Sequence, residues 1–124
     1  MRVLFIGGTG LISSACSELA IQRGMDLTIL NRRKSELYPV PEGVHLLQAD
    51  IRGDLSKLRN VLGNQYYDVI VDWIAYTPED IERDISIFQE KTGQFIFISS
   101  ASAYRKPPAH YLVTEKTPLA NPFW

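Results

Sequence analysis

Apolar residues gather in short continuous runs divided by polar stretches. The runs are Val3-Leu4-Phe5-Ile6, Leu27-Thr28-Ile29-Leu30, residues 44–48, Val69-Ile70-Val71 and Phe95-Ile96-Phe97-Ile98. None alternates strictly with polar residues, the pattern of strands covered on both faces, as in a parallel sheet. Between them the spacing turns helical. Leu11, Ala15 and Leu19, joined by Ile12 and Ala20, predict a first helix closed by Gly24. Residues 54–62 predict a second, with Leu55, Leu58, Val61 and Leu62 on one face and Gly63 at its end. Thr77-Pro78-Glu79-Asp80 starts a third: a capping hydroxyl, a proline at the first position and acids in the first turn. That helix is expected to run to about Lys91, to bury Ile81, Ile85 and Phe88, and to end at Gly93.

The segment 38–43, with two prolines and a glycine, reads as a loop. After Ser99 periodicity stops, and Pro107, Pro108, Pro118 and Pro122 mark an extended tail. Strands alternating with helices predict an α/β fold: one doubly wound, Rossmann-type domain over 1–124 with helices on both faces. Right-handed crossovers and a glycine loop after the first strand predict five parallel strands in the order 3-2-1-4-5. The strands' carboxyl ends then form one ligand-binding edge.

Chemistry concentrates on that edge. Gly7-Gly8-Thr9-Gly10 joins the first strand to the first helix. This is the context of a dinucleotide fingerprint: glycines allow close approach, and the helix head offers free N–H groups to a pyrophosphate. Ser13 stands where the last glycine of G-x-G-x-x-G would be. Gly7, Gly8, Thr9, Gly10, Leu11 and Ile12 are therefore candidate cofactor contacts. The other reading of this stretch is a glycine-rich turn that holds no ligand.

About twenty residues on, an NAD site usually places an acid against the ribose 2′-hydroxyl. Here Asn31, Arg32 and Arg33 occupy that position. Guanidinium groups suit a 2′-phosphate, so NADP is favoured and NAD remains possible. A solvated basic loop is the alternative. Asp50, followed by Ile51, ends the third strand; its carboxylate suits either the adenine amino group or a turn cap. Ser99 and Ser100 follow the fifth strand.

Composition narrows the setting without changing it. Hydrophobic residues make up 45% and charged residues 22%, and the formal net charge is −1, which gives no general attraction to nucleic acid or to an anionic membrane. No apolar run approaches the ~20 residues of a membrane span, and no signal peptide is expected because Arg2 leads straight into a strand. The cytoplasm is the expected compartment. Cys16 is expected to be a small packing residue, and His45 and His110 are not spaced as metal ligands.

With these pieces in order, the chain resembles the extended short-chain dehydrogenase/reductase superfamily, in its NAD(P)-dependent sugar epimerase/dehydratase group. The resemblance rests on Gly7-Gly8-Thr9-Gly10-Leu11-Ile12-Ser13 and on Asp50-Ile51-Arg52, similar to an adenine-binding D-x-R. It also rests on Asp72-Trp73-Ile74-Ala75, on the S-S-x-x-V-Y-like Ser99-Ser100-Ala101-Ser102-Ala103-Tyr104, and on Thr114-Glu115-Lys116-Thr117-Pro118-Leu119. It implies that Ile74 and Ala75 lie under the nicotinamide ribose and that Ser100 is the catalytic serine. It also implies a small-molecule substrate such as a nucleotide sugar.

The family's catalytic Tyr-x-x-x-Lys is not found. Four residues after the six tyrosines stand Glu42, Ile70, Val71, Asp80, Pro108 and Glu115. The chain is therefore expected to be the N-terminal cofactor-binding portion, inert alone for want of a proton-transfer agent. The expected parent is an oxidoreductase-type epimerase, dehydratase or reductase; the alternative is a non-catalytic NADP-binding or redox-sensing module of the same fold. A homo-oligomer is expected, because the fifth strand is apolar throughout and lacks a neighbour. The tail, with Leu119, Phe123 and Trp124 as anchors, is expected to give that strand partial cover.

Overall fold

The computed structural model of the chain describes residues 1–32 and 38–123. Five strands, β1 (Arg2–Ile6), β2 (Asp26–Asn31), β3 (His45–Gln48), β4 (Tyr67–Asp72) and β5 (Thr92–Phe97), form one sheet in the order β3-β2-β1-β4-β5. Every pairing is parallel, and Ile6 at the end of β1 stands between Leu30 and Asp72. The predicted topology is the observed one.

Three helices cover the sheet: α1 (Leu11–Gln22), α2 (Leu55–Leu62) and α3 (Pro78–Phe88). Strand alternation sorts the core into two layers. Val3, Phe5, Leu27, Ile29 and Val71 pack on the α1 side, around Ala20. Leu4, Ile6, Leu30 and Ile70 pack on the other side, against Leu58 and Leu62 of α2 and Ile87 and Phe88 of α3. Each such fully buried large side chain contributes about 1.5–3 kcal/mol relative to exposure. The helix starts are as expected. Asp54 Oδ1 accepts the Ser56 and Lys57 N–H groups, and Thr77 Oγ1 accepts that of Asp80.

The helix faces differ from the expectation. In α1 the apolar stripe points outward: Leu11 is 73% and Leu19 46% exposed, and Ala15 is exposed. The buried residues are Ser13, Ser17 and Ala20. The reason is proximity, since α1 starts directly from the glycine turn on β1 and its first turns lie too close to the sheet for branched side chains. Ser17 Oγ bridges the two, donating to the carbonyls of Gly8 and Ser13 at 3.0 and 2.9 Å.

In α2 Leu55 and Val61 are exposed, leaving Leu58 and Leu62 as the packing residues. In α3 Ile85 is exposed, and two aspartates, Asp80 and Asp84, are buried with Ile87 and Phe88. The helix ends at Phe88, and Gly93 lies inside β5. Glycine fits there because a Cβ would meet Tyr66 Oη at 3.1 Å and the Asp68 carbonyl at 3.2 Å.

Beyond a short 3-10 turn at Ala101–Ala103 the tail has no regular structure through residue 123. It is tied back by Asn121 Nδ2, which donates to the Ser102 carbonyl, and by Arg105 N–H, which donates to that of Pro118. Leu119 and Phe123 do not anchor it, since both are strongly exposed; Trp124 lies outside the described residues.

Candidate functional site

The carboxyl ends of the strands form a crevice in two parts. The first is a cavity of about 150 Å³. It is lined by Gly7 and Thr9 of the glycine turn, by Leu30, Asn31 and Arg32 at the end of β2, by the segment 49–52 after β3, and by Ile74. The second, of about 200 Å³, lies beside it and is lined by Ala75, Tyr76 and the segment 97–100 with Ser102 and Ala103. Adjacent residues Ile74 and Ala75 divide the two. The fold therefore brings Gly7, Thr9, Asn31, Arg32, Asp50, Ile51 and Ile74 to one cavity, and Ala75, Ser99 and Ser100 to its neighbour. Arg33 lies outside the described residues.

The glycines do different jobs. Gly7 has a φ of +90°, and a Cβ there would collide with Ile74 Cγ2. A left-handed backbone and a close neighbour both require glycine. Gly8 is buried, and its Cβ would meet Ile29 and Phe5 at 3.1 Å, so it seats the turn on the sheet. Gly10 is exposed, with φ −96° and ψ 178°, a backbone that any residue adopts. A Cβ there would meet only Ser13 Oγ, at 3.3 Å. The space beside Gly10 is thus open toward solvent at the head of α1.

At that head the N–H groups of Leu11, Ile12 and Ser13 precede the first helical hydrogen bond, which Ser14 N–H makes to the Gly10 carbonyl at 2.9 Å. The Leu11 and Ile12 side chains are exposed, so at the helix head these residues line no pocket with their side chains and offer their backbone N–H groups. Ser13 fills the place of the last glycine and is buried; its Oγ accepts the Gly10 N–H at 2.8 Å. Donors at a helix head next to room for an anion fit a pyrophosphate.

Around the first cavity, Asn31 Nδ2 donates to Thr9 Oγ1 at 3.4 Å, joining the end of β2 to the glycine turn. Arg32 Nη1 lies 3.8 Å from Asp50 Oδ2 across the cavity mouth, both groups about half exposed. Asp50 Oδ1 accepts the Arg52 N–H at 3.0 Å, so Asp50 closes a turn and also lines the cavity. In the second cavity Ser100 Oγ accepts the Ser102 N–H at 3.1 Å.

Beneath the crevice lies an ionic network that the residue pattern did not reveal. Arg52 grips Asp80 with two hydrogen bonds, Nε to Oδ1 at 2.9 Å and Nη2 to Oδ2 at 2.8 Å. The same Nη2 donates to the Ile74 carbonyl at 2.8 Å. Arg83 Nη2 donates to Asp80 Oδ1 at 2.7 Å. Asp80 Oδ2 also accepts the Tyr76 and Thr77 N–H groups at 3.0 and 3.4 Å. The Arg52 guanidinium, opposed by burial and helped by Arg83 and these backbone donors, holds the Asp80 carboxyl far below the usual carboxylate range. The hydrogen bond to Asp80 in turn raises the Arg52 guanidinium.

Arg52 therefore straps the turn after β3 to the turn after β4, the two floors of the crevice. The D-x-R motif displayed Arg52, but its partner is 28 residues away and no spacing rule connects them. Ser17 was legible in principle, as part of the small-residue stripe Ser13, Cys16, Ser17 and Ala20 at helical spacing. Among the described residues no group of three or more His, Cys, Asp or Glu is arranged to hold a metal, and no helix is long and apolar enough to cross a membrane.

No protein-family profile matches the chain. A curated UDP-glucose 4-epimerase from Lactobacillus helveticus is 26% identical over 146 residues, which cover 99% of this chain and 43% of the relative. Among solved structures, a UDP-glucose 4-epimerase superimposes with a TM-score of 0.81 at 20% identity, over 98% of this chain and 42% of its own. The UDP-glucose 4-epimerase of Bifidobacterium longum, in complex with NAD+ and UDP, gives 0.72 at 20% identity, over 99% and 44%. The chain spans less than half the length of each of these three proteins. The shared fold is that of these epimerases, and the motif-based resemblance to the sugar epimerase/dehydratase group is borne out.

Proposed function

We propose that this chain is the N-terminal dinucleotide-binding part of an oxidoreductase-type epimerase or dehydratase that acts on a nucleotide sugar, with NADP as the preferred cofactor. The observation that carries the reading is the crevice itself. Asp50 and Ile51 after β3, the Asn31–Arg32 corner at the end of β2, the helix head after β1 and the Ile74–Ala75 turn after β4 follow one another along a single edge, in the order of adenosine, pyrophosphate and nicotinamide that a dinucleotide needs. In this reading the pyrophosphate lies at the head of α1, the adenosine fills the first cavity, and the nicotinamide ribose reaches over Ile74 and Ala75 toward Ser99 and Ser100. The bound cofactor supplies reversible hydride transfer; the residues described here bind and orient it.

Ser100 is the residue of this chain assigned to hydrogen-bond a substrate oxygen. A nucleotide sugar is inferred as substrate because the matched proteins are UDP-glucose 4-epimerases. The proton-transferring Tyr-x-x-x-Lys is not among residues 1–124, so in this proposal proton transfer belongs to residues outside them. Pairing through β5, which has a partner on one side only, is the proposed route to a homo-oligomer. A cytoplasmic location fits a lone unpaired cysteine.

The cofactor preference rests on Arg32, which lines the first cavity where an NAD site would carry an acid. A 2′-phosphate there would compete with Asp50 for the guanidinium, at short range and with a full negative charge. Titration of the chain with NADPH and NADH, followed by nicotinamide fluorescence, tests this. Arg32→Ala is expected to weaken NADPH about tenfold, one charge-assisted contact, and to change NADH by less than about twofold. Equal losses for the two cofactors would refute the preference; no binding of either by the folded parent would refute the reading as a whole.

A further inference from the structure

The network under the crevice has one carboxylate too many. Asp72, Asp80 and Asp84 meet Arg52 and Arg83, and both guanidinium groups are committed to Asp80. Arg83 Nε stands 4.0 Å from Asp84 Oδ1, beyond hydrogen-bond reach. Asp72 and Asp84 are almost wholly buried, at 1% and 0% exposure. Asp72 Oδ1 is occupied, accepting the N–H groups of Ile74 at 2.6 Å and Ala75 at 2.9 Å. Asp72 Oδ2 and both oxygens of Asp84 are buried acceptors with no donor among the described residues. Two adjacent carboxylates cannot both stay charged in such a place. One proton between them removes a charge and satisfies an acceptor at once.

We propose that Asp84 is a positioning residue of the crevice, which keeps its proton at neutral pH, donates it to Asp72 and so holds Asp72 beneath the Ile74–Ala75 turn. The role assigned to that turn rests on the dinucleotide-binding reading; the shared proton does not. The balance of the groups around the site favours the assignment. Burial, the hydrogen bond to Asp72 and the charge of Asp72 push the Asp84 carboxyl up to about 8. Asp80 on the same helix adds to the rise, and Arg83 opposes it. Arg52, from the segment after β3, feels Asp72 and Asp50 but is held by Asp80. Asp72 Oδ1 already accepts two backbone N–H groups and only its Oδ2 lacks a donor, so Asp72 is the acceptor of the pair and the hydroxyl belongs on Asp84.

The consequence is a crevice floor that loosens in alkali. Once Asp84 ionises, two buried charges repel across the α3–β4 contact. The turn they hold carries the Ile74 carbonyl that Arg52 grips and the Ile74 side chain that packs on Gly7. Dinucleotide affinity should then fall as pH rises through about 8. Stability follows the same sign. With the folded value raised above the ordinary 3.8, the contribution of Asp84 is full below 3.8 and is lost as pH rises toward about 8.

Three measurements on the full chain test the proposal. Infrared difference spectra at pH 7 should show the C=O stretch of a protonated carboxylic acid in the parent and lose it in Asp84→Asn. Asp84→Leu, which leaves Asp72 Oδ2 without a donor, should weaken NADPH by about tenfold or more, and Asp84→Asn, whose amide can donate in the same direction, should restore the affinity. The restored variant should also lack the decline in affinity through about pH 8 and the decline in stability between pH 3.8 and about 8. If Asp84→Asn does not fold, Asp72→Asn replaces it: removing the partner charge should move the loss of the carboxylic acid signal to lower pH.

No protonated carboxyl at pH 7 in the parent would overturn the proposal. So would an alkaline decline unchanged in Asp84→Asn, or a stability that depends on an added cation bound between the two carboxylates. Should the parent bind no dinucleotide, the cofactor reading fails, while the infrared and stability titrations still decide the proton.

Discussion

Replacing Gly10 by alanine separates folding from binding at the glycine turn. In the folded chain the change is mild, because the backbone of Gly10 is ordinary extended and the new Cβ meets only Ser13 Oγ, at 3.3 Å. Ser13 gives by a few tenths of an ångström while keeping its bond to the Gly10 N–H. Adding the weaker N-cap preference of alanine, the cost to stability is below about 1 kcal/mol. For a bound pyrophosphate the same methyl group stands in the open space beside the head of α1. An anion held off the helix loses two charge-assisted hydrogen bonds at about 1.5–2 kcal/mol each, or about 3–4 kcal/mol in all. At about 1.4 kcal/mol per factor of ten, binding weakens by two to three orders of magnitude.

Gly7→Ala is the contrasting control. There φ is +90° and the Cβ would strike Ile74, so the fold itself should suffer, by at least the 1–2 kcal/mol or so of a left-handed residue. Urea unfolding followed by circular dichroism reads the stability of both variants, and NADPH fluorescence titration reads their affinity. Gly10→Val should abolish binding outright. A Gly10→Ala protein that keeps both its stability and its affinity would show that no phosphate lies against this loop. One that unfolds would show that the space beside Gly10 is needed by the protein and not by a ligand.

Two further predictions concern stability. Asp80→Asn leaves the Arg52 and Arg83 guanidinium groups facing each other without their shared carboxylate, and should cost about 2–4 kcal/mol in urea unfolding, reduced from the fully buried case because Arg52 is partly exposed. The Asp80 carboxyl is held below its ordinary 3.8, so its stabilisation is present at neutral pH and declines only as pH falls below that value; the asparagine variant should lack this acid-side decline. Ser17→Ala removes the buried hydroxyl that ties α1 to the Gly8 carbonyl and should cost about 1–2 kcal/mol by the same assay. A cost indistinguishable from zero would mean that packing alone seats the helix.

The sequence by itself determined the sheet and the edge that carries the candidate site. Strands buried on both faces must be continuously apolar, so Val3-Leu4-Phe5-Ile6 and Val69-Ile70-Val71 could be read without any neighbour. Right-handed crossovers then left one strand order, and the glycine turn after β1 pointed to the edge that carries the crevice. The placement of the candidate residues next to strand ends was legible for the same reason: a residue that follows a parallel strand has only one edge on which to lie.

The helix faces were decided by tertiary structure. The stripe of Leu11, Ala15 and Leu19 has the right period for a core, but α1 begins so near the sheet that only Ser13, Ser17 and Ala20 fit beneath it. On α3, hydrophobicity favours Ile85 over Asp84, yet Asp84 is buried because Asp72 waits across the interface. A carboxyl group goes inside only where a partner removes its charge, and that partner is brought near by the fold. Arg52 and Asp80, 28 residues apart, are joined in the same way: their pairing depends on where β3 and α3 end up in space, which no local pattern of side chains encodes.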